Sequence, residues 1–212
     1  MKMMNTLLAL IVLISVSACQ SNSTETKETK KTDQKETQKF TEKTNYILNK
    51  LLEYTSEEAL KKEFGENMES TIELREEGTV EYAISKINMG DHASLKVVWK
   101  DKESRTGIQE IILRGSKCKY KTASGIALGM NLQELEKLNE SSFQFYGFAW
   151  DASGSVVFEN GKLKSDQEQI FLNPPMEELP KEFHSLMGDH LITSSEPLAQ
   201  KLNPIVYEIK LK

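Results

Sequence analysis

The chain has 212 residues, of which 38% are hydrophobic and 28% are charged, with a formal net charge of −5 at pH 7. Residues 46–212 carry a net charge of about −7, and so acidic a region argues against nucleic acid as the partner.

The first eighteen residues have the three parts of a secretory signal. Lys2 is followed by a continuous apolar stretch over residues 7–16 and then by two small residues, Ser17 and Ala18. These ten residues, apolar except for Ser15, rise only about 15 Å as a helix, roughly half of a ~30 Å hydrocarbon core. The stretch is therefore too short for a spanning helix, and we expect residues 1–18 to be a signal peptide.

The end of this segment resembles the lipobox of bacterial lipoproteins. In Val16-Ser17-Ala18-Cys19, a branched apolar residue and two small residues precede a cysteine, with Val where Leu is commonest. The resemblance implies that diacylglycerol is attached to the Cys19 sulfur and that signal peptidase II cuts between Ala18 and Cys19. Cys19 would then be an N-terminus bearing fatty chains such as palmitate, which together anchor a protein stably to a membrane. The alternative is an ordinary secreted protein with a cysteine at this place by chance.

The residue after the cysteine bears on which membrane holds the protein. Gln20 stands where enteric bacteria use Asp to retain lipoproteins in the inner membrane. The resemblance therefore favours the outer membrane, facing the periplasm, if the host has two membranes.

Residues 19–45 comprise the predicted lipidated N-terminus and a low-complexity segment of Thr, Lys, Glu, Gln and Ser. Six lysines face five acidic residues over residues 20–45. A segment of this composition buries too little apolar surface to offset its ordering entropy, so we expect a disordered tether. The near balance of charge favours a spacer over a basic segment that grips anionic lipid.

The first half of residues 46–212 has the pattern of an α+β domain, in which short capped helices pack on antiparallel β meanders. We expect a short helix over residues 46–54. The next helix, Ser56–Phe64, has Thr55 and Glu58 as a capping box and ends at Gly65. The predicted strands are Ser70–Arg75, Thr79–Ile87, Leu95–Trp99 and Gly107–Leu113.

The pattern restarts near Gly125. Asn131 and Glu134 predict a second capping box for a helix over Leu132–Leu138, with Asn139 ending it in a left-handed conformation. The remaining predicted elements are strands Phe143–Phe148, Ser155–Phe158 and Ile205–Leu211, with a short helix around Pro197–Leu202. The restart suggests two tandem helix-plus-sheet units, 46–121 and 122–212.

Residues 122–154 resemble a unit of small bacterial envelope lipoproteins. Gly125-Ile126, Leu128-Gly129-Met130, Leu132 and Glu134-Leu135, followed by an aromatic strand and a glycine turn, are similar to units of the SmpA/OmlA type and of the related β-lactamase inhibitor protein fold. The resemblance covers about 35 residues, and Asn131 replaces the usual Ser or Thr cap. It implies a helix-plus-sheet module that makes protein contacts without catalysis.

An aromatic run supplies the candidate recognition surface. In a continuous strand, Phe143 and Phe145 would lie on one face and Tyr146, Phe148 and Trp150 on the other, since strand side chains alternate. Burial of such a strand on both sides is favoured over a partly exposed aromatic patch, because aromatic residues dominate cores. If the strand is exposed, Tyr146, Phe148 and Trp150 would form a docking site.

No constellation in the sequence predicts catalysis, because both a Gly-x-Ser-x-Gly elbow and a Walker loop are missing. His184 and His190, with Asp189, do not have the spacing of a helix-face metal pair, and Gly188 interrupts the segment. For Cys118, which lysines flank, a small residue at a strand end is favoured over a reactive thiol. We therefore expect neither metal nor cofactor.

The sequence thus predicts a non-enzymatic cell-envelope lipoprotein, anchored to a membrane through Cys19, whose domain binds a protein or a peptide. A small-ligand carrier is the alternative, and a hydrolase is a less favoured one.

Overall fold

A computed structural model describes residues 46–90, 92–163 and 166–212. The predicted signal peptide, the lipidation site Cys19 and the tether up to residue 45 lie outside the described residues. Within these ranges no helix has the length and apolar character needed to cross a bilayer.

The expected α+β class is confirmed by the elements in the described ranges. The α-helices are α1 Glu57–Phe64, α2 Leu132–Asn139 and α3 Pro197–Leu202, and the 3₁₀ helices are Leu48–Glu53, Gly65–Asn67 and Lys181–Leu186. The strands are β1 Met68–Arg75, β2 Val80–Asn88, β3 Ala93–Asp101, β4 Thr106–Gly115, β5 Gln144–Tyr146, β6 Val156–Val157, β7 Glu168–Asn173, β8 Leu191–Thr193 and β9 Ile205–Leu211.

The larger sheet of the described chain has the strand order β1-β2-β3-β4-β9-β7, with every neighbouring pair antiparallel. Strands β1 to β4 form the meander that the sequence predicts. The C-terminal strand β9 then pairs with β4, Leu211 opposite Ile111, and β7 pairs with β9. The suggested units 46–121 and 122–212 therefore contribute strands to one and the same sheet.

The smaller sheet has the order β6-β5-β8 within the described residues. Phe145 of β5 lies opposite both Val156 and Ile192, and its side chain is fully buried. This inner face belongs to the same apolar cluster as the larger sheet, with Leu60, Leu135 and Leu202 from the three α-helices. The two sheets and the helices thus share one core.

The helix starts follow from local side-chain chemistry. The Ser56 hydroxyl accepts a hydrogen bond from the Ala59 N–H at 3.3 Å, so the α1 cap lies one residue later than Thr55, the predicted cap. At α2 the predicted capping box is confirmed, with Asn131 and Glu134 each accepting from the other's backbone N–H at 2.9 Å. The left-handed residue that ends α2 is Glu140, φ 59°, in place of the predicted Asn139.

A polar network joins α1 to the inner face of the sheet. The Trp99 indole N–H donates to the Ser85 hydroxyl at 2.8 Å, and that hydroxyl donates to a Glu57 carboxylate oxygen at 2.6 Å. The Arg105 guanidinium donates to the same oxygen at 2.9 Å. Because each of these buried or half-buried groups has a partner, the network fixes the N-terminus of α1 without leaving an unsatisfied polar atom.

The outer face of the meander carries charged side chains that form ion pairs with one another. Ile84 and Val98 lie opposite each other there, and neither is exposed. The Glu73 carboxylate lies 3.1 Å from the Lys86 ammonium and 2.9 Å from the Lys96 ammonium. Long lysine stems can cover apolar surface while keeping their charge in water, and these ion pairs hold two such stems on this face of the sheet.

The buried Tyr120 should make the stability of the domain sensitive to alkaline pH. Burial, with the Glu63 carboxylate adding to it, raises the pKa of Tyr120 to about 12. In the unfolded chain this hydroxyl has the ordinary tyrosine pKa of 10.0, so the stability that Tyr120 contributes is complete below pH 10 and is lost as pH rises through 12. We expect Tyr120→Phe to weaken the fall in unfolding free energy between pH 9 and 11.5 by about 1–2 kcal/mol, as measured by urea denaturation.

The exposed Tyr207, replaced by Phe, is the matched control for this titration. Equal alkaline sensitivity in wild type and Tyr120→Phe would show that burial of this hydroxyl does not set the response.

Candidate functional site

The structure divides the aromatic run between core and surface. Phe143, Phe145 and Phe148 are at most 3% exposed, Tyr146 is half-buried and Trp150 is 63% exposed. The expected recognition surface therefore contains Trp150 and part of Tyr146, but Phe148 belongs to the core.

The prediction that Phe148 shares a face with Tyr146 and Trp150 is wrong, because the strand is shorter than the aromatic run suggests. Strand β5 ends at Tyr146, and the Phe148 N–H donates to the Leu186 carbonyl outside the sheet. Its ring packs 5.6 Å from the Phe145 ring. Beyond it, Ala149 has φ 72°, a left-handed conformation that ends strand alternation and turns the chain outward.

Trp150 lies on a turn that backbone hydrogen bonds hold. The Ser153 N–H donates to the Trp150 carbonyl at 2.9 Å, and the Ser153 hydroxyl accepts from the Ala149 N–H at 3.1 Å. The Gly154 N–H donates to the Tyr146 carbonyl at 3.0 Å and closes the turn onto β5. An exposed indole on an ordered turn loses little conformational freedom when it is covered, which favours binding.

Gly154 attaches this turn, residues 149–154, to the larger sheet. Its carbonyl accepts from the Leu172 N–H of β7 at 2.8 Å. Its φ is 71°, and a Cβ atom here would lie 1.9 Å from the Leu172 carbonyl oxygen, so only glycine permits this approach. The turn is thus attached to β5 on one side and to β7 on the other.

Backbone hydrogen bonds also hold residues 186–191 against the end of β5. The Gly147 N–H donates to the His190 carbonyl, and the Gly188 N–H donates to the Phe148 carbonyl. A Cβ atom at Gly147 would lie 2.5 Å from the Gly188 carbonyl oxygen. This close backbone approach brings residues 186–191 alongside the end of β5.

Two exposed apolar residues of this segment pair with the end of β5 and with Phe148 as a result. Leu191 is 43% exposed and lies opposite Tyr146 in the β5–β8 ladder, and Met187, 36% exposed, is bridged to Phe148. We call Tyr146, Trp150, Met187 and Leu191 the Trp150 patch. Met187 and Leu191 were not predicted from the sequence, because their position depends on pairing between segments some forty residues apart.

Acidic residues adjoin the patch in the sequence. Asp151 follows Trp150 directly, and Asp189 lies between Met187 and Leu191; both carboxylates are exposed. An exposed indole and aliphatic side chains, next to acidic groups, have the composition of a contact surface with a charged rim.

The other candidate side chains do not assemble a reactive centre. His184, Asp189 and His190 are exposed, and no group of three or more metal-binding side chains occurs within residues 46–90, 92–163 and 166–212. Cys118 is a half-buried free thiol that packs against the core.

No family model matches this sequence, and comparison with curated proteins and with solved structures gives no significant match. The likeness of residues 122–154 to SmpA/OmlA-type units therefore stays a prediction from the sequence.

Proposed function

We propose that this protein is a cell-envelope lipoprotein whose α+β domain is a non-catalytic binding module for another protein or a peptide. The observation that carries the proposal is Trp150, which is 63% exposed on a turn that backbone hydrogen bonds hold against β5. Tryptophan is among the residues that contribute most to binding when a partner removes it from water. A large apolar side chain exposed on a hydrogen-bonded turn is consistent with that use.

The anchoring half of the proposal rests on the N-terminal sequence. The apolar stretch 7–16 followed by Val16-Ser17-Ala18-Cys19 supports export and acylation at Cys19. Residues 20–45 would then separate the domain from the membrane surface. With these parts the patch would face partners in the envelope, and Gln20 favours the outer membrane where there are two.

The chemistry of the Trp150 patch indicates what kind of surface a partner would present. Its aromatic and aliphatic side chains fit an apolar pocket or groove, and the neighbouring Asp151 and Asp189 fit a basic rim. The domain's net charge of about −7 would also steer a basic partner towards it. We therefore expect association to slow as salt concentration rises, while the apolar contacts set the lifetime of the complex.

Trp150→Ala is expected to weaken binding at least tenfold while leaving the melting temperature unchanged, because the indole is exposed and fills no cavity in the core. The partner is trapped first, by placing a photo-crosslinking amino acid at position 150 in cells of the host. The captured protein is identified by mass spectrometry, and its affinity for wild type and variant is then measured by titration.

The matched control is Tyr207, an aromatic residue of β9 that is 38% exposed and lies on the other sheet. A crosslinker at position 207 should capture nothing specific, and Tyr207→Ala should bind as wild type does. Capture that is equal at both positions, or full affinity in a folded Trp150→Ala protein, would contradict the proposal.

A further inference from the structure

The two edges of the six-stranded sheet differ. At one edge, β7 is covered, because its Leu172 N–H donates to Gly154 and its Phe171 is bridged to Ser155. At the other edge, β1 has β2 as its strand neighbour in the described part of the chain and no strand on its far side.

The β1 edge is eight residues long. The Thr71 carbonyl accepts from the Arg105 guanidinium at 3.1 Å and the Ile72 carbonyl accepts from the Thr71 hydroxyl at 3.4 Å, but no strand of the described chain pairs with the edge. An edge without a strand neighbour is a template for another strand.

The side chains of β1 add apolar surface to this edge. Ile72 and Leu74 are 44% and 62% exposed, and they lie on the sheet face that bears buried Ala83. No proline interrupts the strand. Exposed aliphatic residues on such an edge are the features that natural edge strands usually avoid unless the edge is used.

We propose that β1 pairs with β1 of a second copy of this chain, in antiparallel register about Ile72, to form a continuous twelve-stranded sheet. A twofold axis perpendicular to the sheet keeps the faces of both copies aligned and places residues of equal parity opposite each other. The residue that lies on the twofold axis faces its own copy and sets the register. With Thr71 or Ile72 on the axis, seven residues of β1 in each copy are paired, and with any other residue on the axis fewer are paired.

Charge decides between these two registers. Centring on Thr71 would put Glu69 opposite Glu73 twice, which is repulsive. Centring on Ile72 puts Glu69 opposite Arg75 twice and Ile72 opposite itself, with no like charges facing each other. The sequence of the strand is therefore complementary to itself in this register.

Both charged groups lie on the outer face of the sheet. Glu69 is exposed and makes no ion pair with another described residue. The Arg75 guanidinium lies 5.1 Å above the Tyr82 ring and 3.5 Å from the Glu110 carboxylate, so its side chain must turn from Glu110 towards the edge to meet Glu69 of the second copy. β1 shares no residue with the Trp150 patch, and the pairing does not depend on the function proposed above.

The test is sedimentation equilibrium of the full chain in density-matched detergent. We expect wild type to dimerise, and Glu69→Arg to raise the dissociation constant at least tenfold because two attractive pairs become repulsive. Arg75→Glu should do the same, and the double variant Glu69→Arg/Arg75→Glu should restore the dimer. Glu103→Arg, an equal change of charge at a side chain 89% exposed in the β3–β4 turn, is the matched control and should not alter association.

Glu69→Arg removes no ion pair within the described residues, and unchanged melting will show that it is folded. A wild type that stays monomeric up to about 100 µM overturns the proposal, including the case in which the chain's own N-terminal segment covers the edge. So does a Glu69→Arg protein that dimerises as wild type does, or a double variant no tighter than the single ones. A dimer lost in Trp150→Ala but kept in Glu69→Arg would place the contact at the patch instead.

Discussion

Gly154→Ala is expected to lower the free energy of unfolding by about 3 kcal/mol or more. The added Cβ would lie 1.9 Å from the Leu172 carbonyl oxygen, and φ at this position is 71°. Either β7 or the Trp150 turn must therefore move, and the hydrogen bond from the Leu172 N–H to the Gly154 carbonyl would be lost. Urea denaturation followed by circular dichroism measures the change.

Gly78→Ala separates the steric clash from the backbone strain. Gly78 also has a positive φ, 84°, but nothing lies within 4 Å of the position that its Cβ would take. We expect this variant to lose only about 1 kcal/mol, the cost of a non-glycine residue in the left-handed region. Equal losses in the two variants would mean that the close approach of Gly154 to β7 does not exist in solution.

Cys19→Ser is expected to abolish fatty-acid incorporation completely. Serine has no thiolate, so diacylglycerol cannot be attached through a thioether, and the recognition of the lipobox fails with it. Cells grown with an alkyne-labelled fatty acid report the modification directly, since labelled protein becomes visible on a gel after coupling to a dye. Fractionation of the same cells should show that the variant is no longer recovered as an acylated membrane protein.

Cys118→Ser is the matched control, because Cys118 is the other cysteine of the chain. It should incorporate fatty acid as wild type does. Label that persists in Cys19→Ser and disappears in Cys118→Ser would move the lipid to a different residue and remove the basis for the predicted anchor.

The parts of the fold that the sequence predicts are those set by neighbouring residues. The box of Asn131 and Glu134 acts within one helical turn, and its geometry is as expected. Strand β9, Ile205–Leu211, has the bounds that its alternating pattern predicts. Two strands were not predicted. In β7, residues 168–173, the apolar residues Ile170, Phe171 and Leu172 are consecutive and do not alternate with polar ones, and β8 has only three residues.

The candidate site could be predicted only in part, because it depends on contacts between segments that are distant in the sequence. Burial of the aromatic strand was the favoured prediction, and it is correct for Phe148 but not for Trp150. The separation of Phe148 from the face of Tyr146 and Trp150 could not be foreseen. It depends on the backbone contact of Gly147 with Gly188 and on the left-handed Ala149, and the first of these joins distant segments. Alternation predicts a face only while the strand continues, and β5 stops at Tyr146.

The most direct test of the anchored binding module is intact and peptide mass spectrometry of the mature protein extracted from host membranes. We predict that the chain begins at Cys19 and carries diacylglycerol on its sulfur, which adds the mass of two fatty chains. A mature N-terminus at any other residue, or an unmodified Cys19, would contradict the account and remove the reason for placing the domain at a membrane.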